Sequence, residues 1–331
     1  MDDNYQLVTN EQIIYSNETI FSNSIENNVF LNDVLNGLRE NQKALPCKYF
    51  YDEAGSALFE KICELDEYYI TRTELELLDN IKQELAEKIG KNAVIIEPGA
   101  GAGKKIQTLL RSLDTPQTYV PMDISKDFLL YSANIIQENF PNIEVSPIQG
   151  DFTQPIKWLD KENDNRIVFF PGSTIGNFEP HMAIEFLTNM KNLMGSKGAM
   201  IIGVDRIKNQ QTLINAYDDS SNVTADFNKN LLVRINQELN GNFNLKQFEH
   251  RAIFNEQQSR IEMHLISKIN QSVFIDGNKV DFEKGESIHT ENSHKYSDEV
   301  FIKLVSQAGL MSVKSWFDKD RLLCIHYLVV A

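Results

Sequence analysis

Ile95-Ile96-Glu97-Pro98-Gly99-Ala100-Gly101-Ala102-Gly103-Lys104-Lys105 is an apolar strand that runs into a glycine-rich turn and then opens a helix. Glycine lets the backbone turn sharply and approach a ligand closely, and the free N–H groups at a helix start favour negative charge. The stretch therefore predicts a nucleotide-type cofactor at the carboxyl end of a strand. By itself it does not choose between a dinucleotide and S-adenosylmethionine (SAM), since both are held by such a turn.

Outward from the turn, the runs AVIIEP, TYVPMDI, IEVSPIQGDF, RIVFFPGS and AMIIGVDRI read as strands, and KIQTLLRSL, KDFLLYSANIIQENF and MAIEFLTNMKNLM as amphipathic helices between them. Short apolar runs interleaved with helices predict a parallel sheet covered on both faces. The alternation stops after Arg206. Two Asn-rich helices, built around NAYDDSS and NKNLLVRINQELN, then lead into three β-like runs, EHRAIFN, RIEMHLISKI and SVFIDGNKVDF. The chain closes with helix SDEVFIKLVSQAGL and strands MSVKSWFD and LLCIHYLVV, a terminal hairpin common in methyltransferase sheets and uncommon in dehydrogenases. The expected fold class is α/β: a Rossmann-like SAM methyltransferase sheet with an interleaved α+β substrate-binding domain. Residues 1–25 are expected to be a flexible arm, 26–71 with 207–294 the substrate-binding domain, and 72–206 with 295–331 the SAM-binding domain.

A chain of 331 residues with 42% hydrophobic content can bury a large core in one or two domains. Its net charge of −15 repels phosphate backbones and anionic membranes, which argues against nucleic acid and membrane partners and leaves a small molecule. The amino terminus has neither the basic start nor the apolar run of a secretory signal, and no stretch approaches the roughly 18 apolar residues of a membrane span. A cytoplasmic protein is expected; a monomer is compatible with the sequence, which does not fix the oligomeric state. Cys47, Cys63 and Cys324 have no paired spacing, and the six histidines form no HxxxH or HxH cluster, so no metal is expected.

The residues after the glycine turn choose the cofactor. Gly99 and Gly101 leave room for a sulfonium and its methionine part, and Asp123, closing the second strand, can accept two ribose hydroxyls. Ile124 beside it and Gly172 in a later turn are further candidate contacts. Asp151 and Phe152 of QGDF offer a carboxylate for an adenine amino group and a ring to stack on the base. Lys105 can pair with the methionine carboxylate, with Lys104 next to it as an alternative. A dinucleotide site has no need of the GDF, so the set favours SAM.

The fourth strand ends in FFPGSTIGNF, and the turn beyond a central strand is where substrates lie in open α/β sheets. Asn177 can hydrogen-bond an amino-acid head group without adding charge. Together with KYFYDEAGSALFEKICELDEYYITRTE, EPGAGAGKK, AYDDSSNVTADFNKN, FEH, RIEM and TENSHK, this stretch makes residues 30 to 331 closely resemble the histidine-specific Nα-methyltransferases of the ergothioneine pathway. The turn departs from the family, which has serine or threonine among the glycines and an acidic residue before the lysine. LPCK likewise replaces LPPK.

The resemblance implies SAM-dependent Nα-methylation of L-histidine, in three transfers, to the betaine hercynine. It assigns the α-amino acid head to Asn177 and Tyr217 and the imidazole to Glu291 and Ser293. It places Tyr68 in the histidine pocket, Tyr51 near the amine and Phe59 in the wall, and Met263 matches its histidine-selective pattern. An imidazole offers two ring nitrogens, so a carboxylate and a hydroxyl together suit it independently of the resemblance. His289 and His294 flank the TENS motif, either tuning the pocket or lying at the surface. The rival readings are the same fold acting on tryptophan or tyrosine, a catalytically silent SAM-binding protein, and an NAD-dependent oxidoreductase.

Overall fold

Val94–Pro98, the strand that feeds the glycine turn, is buried along its whole length in the computed structural model, which describes residues 7–9, 12–14, 23–154, 157–158 and 165–331. Before it come β1 (Leu7–Thr9), β2 (Gln12–Ile14), α1 (Asn23–Arg39), α2 (Glu53–Ile62) and α3 (Tyr69–Ile89). It is itself β3, followed by α4 (Lys104–Leu110), β4 (Thr118–Asp123), α5 (Lys126–Asn139), β5 (Glu144–Val145), β6 (Ile148–Gln149), β7 (Lys157–Trp158), β8 (Arg166–Phe170), α6 (Pro180–Met194) and β9 (Ala199–Asp205). Then come α7 (Gln210–Asn215), α8 (Val223–Glu238), β10 (Phe248–Asn255), β11 (Arg260–Ser267), β12 (Gln271–Ile275), β13 (Asn278–Phe282) and β14 (Ser287–His294). The chain ends with α9 (Asp298–Gln307), β15 (Leu310–Phe317) and β16 (Leu323–Val330).

The described residues of Ile70–Ile207 and Lys295–Ala331 form one compact unit, and those of Ile20–Tyr69 and Lys208–His294 form another. Most of the expected arm, residues 1–25, lies outside the described residues; within it β1 pairs with β2 and with β7.

In the first unit the strand order is β15-β16-β9-β8-β3-β4-β5, with β6 also on β4. The strands from β9 to β5 are parallel, whereas β16 runs antiparallel to β9 and β15 to β16. Parallel strands covered on both faces must be apolar along the covered length, as residues 167–170 of β8 and 199–204 of β9 are, with the charged Arg166 and Asp205 at strand ends. On one face Phe186, Leu187 and Met190 of α6 pack with Phe301 and Leu304 of α9; on the other Leu77 and Leu85 of α3 pack with Ile106 and Leu109 of α4. The single strand expected over IEVSPIQGDF is two short ones, β5 and β6, with Pro147 between them. Proline has no N–H to donate to the ladder.

The second unit is built on the antiparallel sheet β10-β11-β14 and the hairpin β12-β13. The run SVFIDGNKVDF folds back on itself at Asp276 (φ 46°) and Gly277 (φ 77°), because a two-residue hairpin loop that matches strand twist needs positive φ at both positions. Helix α7 ends at Asn215, so NAYDDSS is the loop that follows a helix rather than a helix itself. Asp219 in that loop accepts the N–H groups of Val223 (3.0 Å) and Thr224 (2.7 Å) and so caps α8. SIHTENSH, absent from the β-like runs read in the sequence, is strand β14.

Candidate active site

In the first unit the glycine turn is tied to the neighbouring strand. Gly99 and Ala100 donate to the Met122 carbonyl (2.8 and 3.0 Å). Asp123 accepts from Gly101 N (3.2 Å) through one oxygen and from Ser125 N (3.0 Å) through the other. Burial raises its pKa, and these backbone donors pull against that shift. Gly101 stands at φ 53°, and a Cβ added there would meet nothing within 4 Å, so the turn faces open space. Ile124 is exposed beside Asp123. The Phe152 ring lies against Gly99 and packs edge-on against Phe170 and Phe186 (centroids 5.8 and 6.0 Å). Asp151 shapes its own turn, accepting Thr153 N (3.0 Å) and Oγ1 (2.5 Å). Gly99, Gly101, Asp123 and Phe152 are thus brought together at one turn.

Lys105 and Gly172 meet at Glu74, a residue of α3 that sequence reasoning missed. The Glu74 carboxylate, 1% exposed, pairs with Lys105 Nζ at 2.7 Å and accepts Gly172 N–H at 2.8 and 3.0 Å. Gly203 in β9 makes room for it: a Cβ there would stand 1.7 Å from Glu74 Oε1. One buried carboxylate therefore joins the turn after β3 to the turn after β8. Lys105, rather than Lys104, is the lysine held in this way. Glu74→Ala would take this partner from the partly buried Lys105 ammonium and Gly172 N–H, and a loss of about 1–3 kcal/mol in denaturant unfolding is expected.

Below the turn, Tyr119 Oη donates to the buried Glu97 carboxylate. Desolvation raises the Glu97 pKa from 4.5 to about 8, against the lowering effect of the Tyr119 bond. The native state thus keeps a proton that the unfolded chain releases, and stability falls as pH rises from 4.5 to about 8. Glu97→Gln is expected to flatten that decline, which thermal melts across the same interval would show.

Asn177 closes a one-turn helix, Thr174–Asn177, entered through Ser173 at φ 58°. Ser173 Oγ accepts Asp205 N–H at 2.8 Å, and Asp205 makes a fully buried ion pair with Lys295 at 2.8 Å. The loop that carries Asn177 is therefore fixed to the end of β9.

In the second unit the other candidates assemble around a chain of rings. Tyr51 meets Phe59 edge-on at 5.7 Å, Phe59 meets Tyr68 at 6.2 Å, and Tyr68 meets Tyr217 at 6.1 Å. Phe227 of α8, which sequence reasoning did not single out although it lies in AYDDSSNVTADFNKN, touches both Tyr51 (5.8 Å) and Phe59 (6.0 Å). Tyr217 Oη and Ser293 Oγ are hydrogen-bonded at 2.7 Å, and His250 Nε2 lies 2.8 Å from the Tyr217 carbonyl, bracing the loop. Met263 faces Glu291 across β11 and β14, and Glu291 and Ser293, two apart on a strand, share one face. Burial raises the Tyr68 pKa well above its ordinary value, and Tyr217, Cys63, Tyr51 and Glu291 add to the shift, so its hydroxyl stays neutral. On the opposite face of the same sheet, Glu262, His264 and His289 bring ligand atoms within 4.8 Å of one another. The expectation of no metal rested on spacing along the chain and could not register residues that meet only across two strands.

The chain matches the family of histidine-specific, SAM-dependent methyltransferases over residues 30–330. The chain belongs to that family. It is 36% identical to the histidine N-alpha-methyltransferase of Mycolicibacterium smegmatis over 291 residues, 86% of this chain and 90% of that protein. It is 28% identical to ergothioneine biosynthesis protein 1 of Neurospora crassa, over 84% of this chain and 32% of that protein. A third relative, 26% identical over 86% of this chain and 90% of its own length, is a 4-dimethylallyltryptophan N-methyltransferase of Epichloe festucae var. lolii. As a member of this family the protein is a SAM-dependent methyltransferase, and its Rossmann-like sheet with a closing antiparallel pair is the corresponding fold. Among the described residues no helix is long and apolar enough to cross a membrane.

Proposed function

We propose that this methyltransferase transfers methyl groups from SAM to the α-amino nitrogen of L-histidine, three times in succession, giving hercynine for ergothioneine biosynthesis. The observation that carries the reading is the grouping of Glu291 and Ser293 on one strand face, with Met263 opposite Glu291 and Tyr217 bonded to Ser293. A carboxylate and a hydroxyl on one face suit the two nitrogens of an imidazole. With Ser293 buried and Glu291 partly so, such a pair penalises an apolar side chain that would leave it unpaired.

The first unit fits SAM. The open space over Gly101, the Asp123 carboxylate beside it and the Phe152 ring at Gly99 match a ribose and an adenine, and Lys105, which Glu74 holds at 2.7 Å, is assigned the methionine carboxylate. Gly99, Ile124, Asp151 and Gly172 complete the proposed contacts. SAM, when bound, supplies a methyl group already activated by its sulfonium sulfur. The chain's own residues contribute alignment and exclusion of water.

Asn177 and Tyr217 are assigned the amino-acid head group, Glu291 and Ser293 the ring, and Tyr68 and Phe59 the wall. A free α-amine with a pKa of about 8 is mostly protonated at neutral pH, so it must lose a proton before each transfer. Tyr51, directly or through a water, is assigned to orient the lone pair. Purified protein given SAM with histidine, tryptophan or tyrosine is expected to turn over histidine fastest. Faster methylation of tryptophan would overturn the assignment. Calorimetry is expected to register SAM and not NAD, and NAD binding in its place would favour the oxidoreductase reading.

A further inference from the structure

We propose that Glu262, His264 and His289 form a site for a borderline divalent transition-metal ion of the Zn2+ class, on the sheet face opposite Met263, Glu291 and Ser293. The face follows from strand register. Glu262 and His264 are two apart on β11 and share a side, and His264 pairs with His289, whereas Met263 pairs with Glu291. In a regular strand His289 would share the face of Glu291, two residues on. The irregularity between Met263 and His264 leaves Thr290 as an extra residue on β14, and this bulge turns His289 to the other face. Thr290 Oγ1 donates to the Met263 carbonyl at 3.0 Å and holds the bulge in place.

The three groups are arranged as metal ligands with an outer shell. One ligand atom from each lies within 4.8 Å of the others, and the two imidazole rings are nearly parallel, with centroids 4.8 Å apart. Glu262 Oε1 accepts from Asn255 Nδ2 (2.9 Å) and Arg260 Nε (2.8 Å), which orients the carboxylate, while Oε2 faces His264 Nε2 at 3.1 Å. His289 Nε2 lies 3.0 Å from the Glu291 carbonyl. A donated Nε2–H there fixes the tautomer and leaves Nδ1 with a lone pair, the outer-shell arrangement common to metal-bound histidines. His264 Nδ1 is buried without a hydrogen-bond partner, at a cost that an ion held on that nitrogen would relieve.

Two imidazoles and one carboxylate select Zn2+, Co2+ or Ni2+ over Mg2+ or Ca2+, which prefer oxygen ligands alone. Glu262 and His264 are buried and His289 is half-buried, so an ion can enter from the His289 side with water as a fourth ligand. The Nε2 contact of His289 makes such an ion a brace for the strand that bears Glu291.

The test is titration of the purified chain with Zn2+ against a chromophoric chelator, without histidine, which would itself bind the ion. Wild type is expected to take up one ion per chain, and His289→Asn and Glu262→Gln each to bind it weaker by about tenfold or more. Circular dichroism identifies any variant that has not folded; His289, half-buried, is the substitution least exposed to that failure. Co2+ should give a visible absorption band in wild type that both folded variants lose. No competition by wild type, or equal Zn2+ uptake by wild type and folded variants, would overturn the proposal. The readout is independent of the methylation chemistry, so its failure would leave the proposed function untouched.

Discussion

Glu291→Ala is expected to raise the Michaelis constant for histidine by about 10- to 100-fold while leaving SAM affinity within about twofold, since a hydrogen bond to a charged group is worth about 1.5–3 kcal/mol. The separation follows from where Glu291 sits. It lies in the second unit on β14, paired with Met263 and two residues from Ser293, and every proposed SAM contact lies in the first unit. Its electrostatic influence reaches Tyr68, whose hydroxyl burial keeps neutral. Initial-rate kinetics with either substrate varied, together with calorimetry for SAM, check both halves. Equal loss of histidine and SAM binding would place Glu291 outside the substrate pocket.

Asp123→Ala is expected to do the reverse, weakening SAM binding by about a hundredfold with little direct effect on histidine recognition. Two ribose hydroxyls bonded to one carboxylate account for about 2–4 kcal/mol. The substitution also frees the N–H groups of Gly101 and Ser125, which the carboxylate holds at 3.2 and 3.0 Å, so the glycine turn keeps only its backbone bonds to Met122 as a tie to β4 and loses its ligand contact. Calorimetric titration of SAM measures the loss, and unchanged affinity would remove Asp123 from the site.

Much of this arrangement is legible in the sequence wherever local chemistry and fold agree. The strands around the glycine turn are apolar because both faces of a parallel sheet are covered, and the terminal LLCIHYLVV is visible for the same reason. Elements that break this agreement were missed. Strand β14, SIHTENSH, is polar on both faces: one carries Glu291 and Ser293, the other His289 and Asn292, so no period-two apolar signal marks it. Glu74 sits in an ordinary amphipathic helix, and only the meeting of two distant turns shows what it holds. The Glu262–His264–His289 cluster is hidden for a further reason. A one-residue bulge decides which face His289 occupies, and spacing along the chain does not encode it.

The most direct test of the central claim is mass spectrometry of L-histidine incubated with SAM and the purified protein. Mass gains of one and two methyl groups in transit and three at completion are expected, with the α-amino nitrogen as the site of all of them. Unchanged histidine, in the presence of a protein that binds SAM and methylates another amino acid, would contradict it.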